Sequence, residues 1–82
     1  MPISCQQYDY VEIACMYKYL LEVRLQSGKL LVGKACDTAK NTDRNECIKL
    51  DISGEYVLTE LDEIHSFRAL VKNPHFSEII FD

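Results

Sequence analysis

The sequence has few residues that interrupt secondary structure and no stretch that suits a membrane span. Its 82 residues include three glycines, two prolines and no tryptophan. No apolar run approaches the roughly 20 residues of a transmembrane helix, and the N-terminus lacks the basic and apolar regions of a signal peptide. We therefore expect one small soluble domain, residues 1–82, in the cytoplasm and without a membrane partner.

Basic residues are too few for a protein that holds nucleic acid directly. The sequence has nine basic and thirteen acidic residues, which gives a formal net charge of -4. Because phosphate binding needs a basic face, this balance favours either a soluble cytosolic protein or one whose partner is itself basic. Seven acidic residues fall between positions 43 and 63. They form either solvated strand and turn faces or, with Asp9 and Glu12, an acidic surface.

Catalytic and cofactor motifs are absent from the sequence. It contains no phosphate-binding loop, dinucleotide fingerprint, zinc-protease motif or serine-nucleophile elbow. His65 and His75 lack an obvious third metal ligand. Because no secretory signal is present, the four cysteines are predicted to be free thiols, with a redox role for Cys5 or Cys15 as the alternative. A zinc site is disfavoured, since the cysteines include no Cys-x-x-Cys pair. We therefore predict a protein without enzymatic activity, cofactor or metal.

The strongest helix signal covers Cys5–Tyr17. Ser4 and Gln7 have the spacing of a capping box, in which each side chain bonds to the other residue's backbone amide. Ile3 precedes the cap, where a hydrophobic residue packs against the side chain five positions later, here Tyr8. The spacing predicts a helix that begins immediately after Ser4.

The two faces of this predicted helix differ in character. Val11 and Cys15, with Tyr8 at the border, form an apolar stripe, whereas Asp9 and Glu12 lie together at i, i+3 spacing. We expect the stripe to hold the helix to the rest of the fold. The acidic pair is expected to meet a basic partner.

The rest of the chain alternates like short antiparallel strands. The predicted strands cover residues 21–26, 30–37, 46–52, 55–61, 64–70 and 78–81. Ser27-Gly28 and Ser53-Gly54 predict hairpin turns, and the polar residues 39–45 predict a loop. A mainly β (α+β) fold follows, with an N-terminal helix on a small Sm-like antiparallel β-barrel of five to six strands; an OB-type barrel is the rival.

Individual strands suggest further detail. The small residue Gly33 indicates a place where another backbone comes close or where the strand bends. In the third strand, Ile48 and Leu50 are predicted to face inward and Cys47 outward. The fourth strand has apolar residues on both faces, which predicts partial cover on each.

The order of residues also resembles one known family. The specific part is the N-terminal string, which contains Pro2, Ile3, Cys5, Tyr8, Asp9, Glu12, Ala14 and Cys15. Weaker matches follow at Lys34, Ala35, Asp37, Leu61, Asp62, Ile64, Ser66 and Phe67. This pattern resembles Rof, the small bacterial Rho-binding antiterminator that inhibits the transcription termination factor Rho.

The resemblance implies a partner and a site. A member of this family binds the N-terminal RNA-binding domain of the Rho hexamer and blocks RNA loading, without contacting nucleic acid itself. It uses the helix residues Tyr8, Asp9 and Glu12, and the loop residues Arg44 and Asn45. We also expect this chain to be a monomer. An Sm-like RNA-binding module is the alternative function, which the net charge disfavours.

Overall fold

Helix α1 spans Cys5–Tyr17 and begins at the predicted capping box. The computed structural model describes residues 4–81. Ser4 Oγ accepts a hydrogen bond from the Gln7 amide at 3.1 Å, and Gln7 Oε1 accepts one from the Ser4 amide at 2.9 Å. Lys18 ends the helix in the left-handed conformation, with φ 54°. The predicted bounds and cap are confirmed, whereas Ile3 of the predicted staple lies outside the described residues.

Six strands follow and form one antiparallel sheet. They are β1 Leu20–Leu25, β2 Leu30–Lys40, β3 Glu46–Ile52, β4 Glu55–Glu60, β5 Ile64–Ala69 and β6 Glu78–Ile80, with a 3-10 turn, Leu61–Glu63, between β4 and β5. Their order is β4-β3-β2-β1-β5-β6. The predicted class, a helix on a small antiparallel β-structure, is confirmed. The sheet is open rather than a closed barrel within the described residues, because β4 and β6 lie at opposite edges.

The second hairpin has the turn that its sequence predicts. Ser53 and Gly54 take positive φ angles of 54° and 90°, as a two-residue type I′ turn requires. Asp51 Oδ1 accepts a hydrogen bond from the Gly54 amide at 2.9 Å. The turn therefore aligns β3 with β4 and sets which residues stand opposite each other along the pair.

Strand β2 passes very close to β3 at Gly33, as the sequence predicts. A Cβ atom at this position would lie 2.7 Å from Ile52 Cγ1 and 2.9 Å from the Asp51 backbone oxygen. The pairing shifts between Ala35 and Asp37, and such a bulge bends a strand and increases its twist. The close approach and the bulge together curve β2 around the core.

The core lies between α1 and the inner face of the sheet. Its fully buried large side chains are Val11, Leu21, Val23, Ile48, Leu50, Ile64 and Phe67. Helix α1 packs mainly against β2 and contributes Val11, Ala14 and Cys15 to this cluster. Gln7 also ties the helix to the far edge of the sheet, since its Nε2 donates to the Ile80 carbonyl at 3.1 Å.

The predicted outward position of Cys47 is wrong, because its side chain is fully buried. Strand β2 continues to Lys40 instead of ending before residue 39, so Ala39 stands opposite Cys47. Glu60 flanks Cys47 on the other side, and the thiol donates a hydrogen bond to the Asn45 carbonyl at 3.4 Å. The longer strand and the loop at residues 41–45 therefore cover this position.

The prediction that both faces of β4 are partly covered is also wrong. Tyr56 is 69% exposed and Leu58 45% exposed, and Thr59 is the one buried residue of the strand. Strand β4 lies at the edge of the sheet and has a neighbour on one side, β3. Apolar side chains on both faces of a strand therefore do not imply that both faces are buried. On an edge strand such as β4, no further strand lies alongside to help cover them.

Gly33→Ala is expected to lower the free energy of unfolding by about 1–3 kcal/mol, because the added methyl group meets the Asp51 backbone oxygen. Urea denaturation followed by circular dichroism measures the change. Val32→Ala, one residue earlier on the exposed face, is the matched control, with an expected change of about 0.5 kcal/mol or less. Equal losses in the two variants would contradict the close approach.

Candidate functional site

A groove of about 580 Å³ separates the first half of α1 from the loop at residues 41–45 and the 3-10 turn. Three elements line the groove. The N-terminal part of the helix, with its cap, supplies Ser4, Cys5, Tyr8 and Asp9. The loop and the start of β3 supply Arg44, Asn45 and Glu46, and the 3-10 turn supplies Leu61 and Asp62. We call it the helix–loop groove. It brings together four of the five predicted partner-binding residues, namely Tyr8, Asp9, Arg44 and Asn45.

Glu12, the fifth predicted residue, lies outside this groove. It lines a neighbouring groove of about 480 Å³, together with Lys18, Asp37 and residues of α1 and β2. Asp9 and Glu12 are both exposed, and their i, i+3 spacing puts them on the same side of the helix. The acidic pair therefore forms a continuous edge that extends from the helix–loop groove toward the helix C-terminus.

The division of α1 into a buried and an exposed side agrees with the sequence. Val11 is fully buried and Cys15 is 7% exposed, whereas Asp9 is exposed. Tyr8 is half-buried: it packs against the core and also lines the helix–loop groove. Burial of Val11 and Cys15 thus sets the direction in which Tyr8 and Asp9 point.

The other two tyrosines of α1 contact aromatic side chains of the same chain, although Tyr17 is 54% exposed. Tyr10 meets Phe76 edge to face, with ring centroids 5.6 Å apart. Tyr17 stacks on Tyr19 at 5.7 Å and on His75 at 5.3 Å. These contacts hold the segment before β6 against the helix, so Tyr8 is the tyrosine of α1 that lines the groove.

Asn41 organises the loop that carries Arg44 and Asn45. Its Oδ1 accepts hydrogen bonds from the backbone amides of Asp43 and Asn45, both at 3.0 Å. Its carbonyl accepts from the Arg44 amide at 2.9 Å, and its own amide donates to the Asn45 carbonyl at 3.1 Å. One asparagine therefore closes the loop through side chain and backbone together, a common role for this residue type in turns.

Glu60 holds the same loop from strand β4. Its Oε2 accepts from Asn41 Nδ2 at 2.7 Å, and its Oε1 accepts from Asn45 Nδ2 at 3.3 Å. Neither Asn41 nor Glu60 is a site residue that the sequence predicts. Asn41 and Asn45, at the two ends of a short polar segment, are the sequence signal that indicates this turn. No local signal indicates the contact with Glu60, because that contact depends on the pairing of β3 with β4.

Charge in the helix–loop groove is mixed but mostly acidic. Asp9, Glu46 and Asp62 are exposed carboxylates, and Arg44 is the cation among the lining residues. The Arg44 side chain makes no hydrogen bond or ion pair with any residue between positions 4 and 81. Glu46 and Asp62 are not among the residues that the sequence predicts to bind a partner. The groove can offer carboxylate acceptors and one guanidinium donor to a partner.

The Cys15 thiol is buried, which makes it poorly suited to redox chemistry. Burial raises the pKa of the Cys15 thiol from 9.0 to about 12, and the charge of Asp37 adds to the shift; the reactive thiolate is therefore scarce at neutral pH. Across positions 4–81, no group of three or more His, Cys, Asp and Glu side chains is placed to hold a metal ion. In that same part of the chain, α1 is too short to cross a membrane.

Comparisons with known proteins give consistent matches. The family model described as "Modulator of Rho-dependent transcription termination (ROF)" matches residues 2–81. Proteins named "Protein rof" from Escherichia coli (strain K12) and Shigella flexneri are each 35% identical over 66 residues, which cover 80% of this chain and 77% of theirs. The solved structure titled "YaeO bound to Magnesium from Vibrio cholerae O395" is 41% identical, with a TM-score of 0.88, and the match covers 93% of this chain and 99% of that one.

The free energy of unfolding is expected to fall as the pH rises above about 9, because the unfolded thiol then loses its proton while folded Cys15 keeps it up to about pH 12. Denaturation in urea at several pH values between about 8 and about 11 measures the slope. Cys15→Ala removes this titration and should flatten the loss. The same pH slope in both proteins would contradict the burial of the thiol.

Proposed function

The chain belongs to the Rof family of modulators of Rho-dependent transcription termination, as its sequence resemblance predicts, and on this premise we propose that it is a protein inhibitor of Rho. It binds the N-terminal RNA-binding domain of the Rho hexamer and blocks the loading of RNA, which produces antitermination. It needs no catalytic step for this, because occupation of the RNA site is sufficient.

The helix–loop groove is the observation that carries this proposal. Tyr8 and Asp9 of α1 and Arg44 and Asn45 of the loop are far apart in the sequence, yet they line the same groove. They are also four of the five residues for which the family resemblance implies a role in partner binding. A surface built from two separate elements can engage a partner at several points at once, which favours specific recognition over a single charge contact.

The chemistry of these residues suits a protein surface that otherwise binds RNA. Such a surface is basic and offers places where bases stack. Asp9 and Glu12 are exposed carboxylates that can accept charge-assisted hydrogen bonds from its cations. Tyr8 can place an aromatic ring where a base would stack, and Arg44 adds a donor for an acidic or carbonyl group at the rim.

We further propose that the chain acts as a cytoplasmic, single-domain monomer that does not contact RNA itself. The net charge of -4 supports this, because it opposes the approach of a phosphate backbone. A gel shift with single-stranded RNA in the absence of Rho distinguishes this proposal from an Sm-like RNA-binding module, which would retard the RNA.

Asp9→Lys and Glu12→Lys are each expected to abolish detectable binding to the Rho N-terminal domain, because a cation then faces a basic surface and like-charge contacts cost several kcal/mol. Isothermal titration calorimetry measures the affinity. Glu55→Lys, the same charge change on β4 away from both grooves, is the matched control. Wild-type affinity in both helix variants, with the fold intact by circular dichroism, would contradict the assignment of α1 as the contact.

Binding to Rho is also expected to weaken as salt rises from about 0.05 M to about 0.5 M, since exposed charges are screened beyond a Debye length that shrinks over this range. The association rate should fall more than the dissociation rate rises, because the charges mainly steer the encounter. Biolayer interferometry at several salt concentrations separates the two rates. An affinity that does not depend on salt would contradict an electrostatic interface.

A further inference from the structure

We propose that Glu60 and Asn41 are positioning residues, which hold Arg44 and Asn45 in the conformation that meets Rho. This inference rests on the proposed function, and it assigns a part of the binding site to residues outside the contact surface. Neither residue lines the helix–loop groove. Both act through the loop at residues 41–45, which forms one wall of that groove.

The orientation of the Asn41 amide is determined by its hydrogen bonds. Its Oδ1 accepts from the backbone amides of Asp43 and Asn45 at 3.0 Å, so its Nδ2 must face the other way, toward Glu60. There it donates to Glu60 Oε2 at 2.7 Å, a length typical of a charge-assisted hydrogen bond. If the side-chain amide were reversed, its nitrogen, which is a donor, would face two backbone amide donors. Only one orientation of the Asn41 side-chain amide therefore satisfies these hydrogen bonds.

Glu60 differs in this respect from the acidic residues that line the groove. Both of its carboxylate oxygens already accept amide donors, from Asn41 at 2.7 Å and from Asn45 at 3.3 Å. It is half-buried, whereas Asp9, Glu46 and Asp62 are exposed. Its carboxylate therefore serves the loop, and the exposed carboxylates remain available to a partner.

The loop needs such support because Arg44 has an unfavourable backbone conformation. Its φ is 64°, in the left-handed region that a residue other than glycine, asparagine or aspartate rarely adopts. The hydrogen bonds of Asn41 and Glu60 offset this cost. Without them, the loop is expected to leave the left-handed conformation, and the guanidinium of Arg44 would no longer be directed to the groove.

Glu60 also connects the two walls of the groove that α1 does not form. It is the last residue of β4, and the 3-10 turn that carries Asp62 follows it directly. The same side chain therefore fixes the distance between the loop and this turn. A loop that is ordered for only about a tenth of the time would weaken Rho binding about tenfold, because only the ordered fraction binds well.

The test compares Glu60→Gln with Glu55→Gln, which removes the same charge from the same strand without touching the loop. Gln keeps the size of Glu but offers one acceptor oxygen in place of two. Glu60→Gln is expected to weaken binding to the Rho N-terminal domain about tenfold, and Glu55→Gln less than about twofold. Asn41→Ala provides a second, independent disruption if Glu60→Gln does not fold.

A double-mutant cycle with Arg44→Ala separates positioning from a general loss of stability. If Glu60 acts through Arg44, the effect of Glu60→Gln should shrink to about threefold or less once Arg44 is already truncated. The backbone order parameters of residues 42–45, measured by NMR relaxation without Rho, should fall from about 0.85 to below about 0.6 in Glu60→Gln. Both results together support the inference.

The possible contrary results are distinct. An ordered loop in Glu60→Gln, or a mobile loop with unchanged affinity for Rho, overturns the positioning role and leaves the proposed function standing. Full additivity of Glu60→Gln and Arg44→Ala also overturns it. Absence of binding by the wild-type protein overturns the proposed function, and this inference with it.

Discussion

The packing of α1 on β2 is the contact on which the rest of this structure depends. A helix of 13 residues is marginal in water without tertiary contacts. Burial of Val11, Ala14 and Cys15 supplies these contacts and sets the rotation of the helix about its axis. Tyr8 and Asp9 then point toward the loop at residues 41–45, and the helix–loop groove forms between two elements that are distant in the sequence.

The acidic residues near this groove have two separate tasks. Asp9, Glu46 and Asp62 are exposed and can meet a basic partner, whereas Glu60 is half-buried and bonds to the amides of Asn41 and Asn45. Net charge alone does not distinguish these roles. For the proposed binding to a basic surface of Rho, this separation matters, because an acidic surface binds specifically only when its geometry is held in place.

Local patterns predicted the helix and the strands, and non-local contacts explain what they missed. The Ser4–Gln7 box predicts the helix start, and the Ser53-Gly54 turn predicts a hairpin, because both signals act over a few residues. Burial of Cys47 depends on how far β2 continues alongside β3. Whether the sheet stays open or closes into a barrel depends on which strands pair. The local sequence pattern does not indicate this pairing.

The candidate site was likewise predicted only in part from the sequence. Four predicted contact residues line one groove. The Asn41–Glu60 hydrogen bond was not predicted, because it joins residues 19 positions apart and requires the pairing of β3 with β4.

Displacement of RNA from Rho by this protein is the most direct test of the proposed inhibition. Fluorescence anisotropy of a labelled single-stranded RNA bound to the Rho hexamer would follow the titration. The proposed inhibition predicts that anisotropy falls to the value of free RNA as the protein saturates Rho, with no change when the protein is added to RNA alone. RNA that stays bound to Rho while the protein is also bound would contradict it, since the two would then occupy different sites.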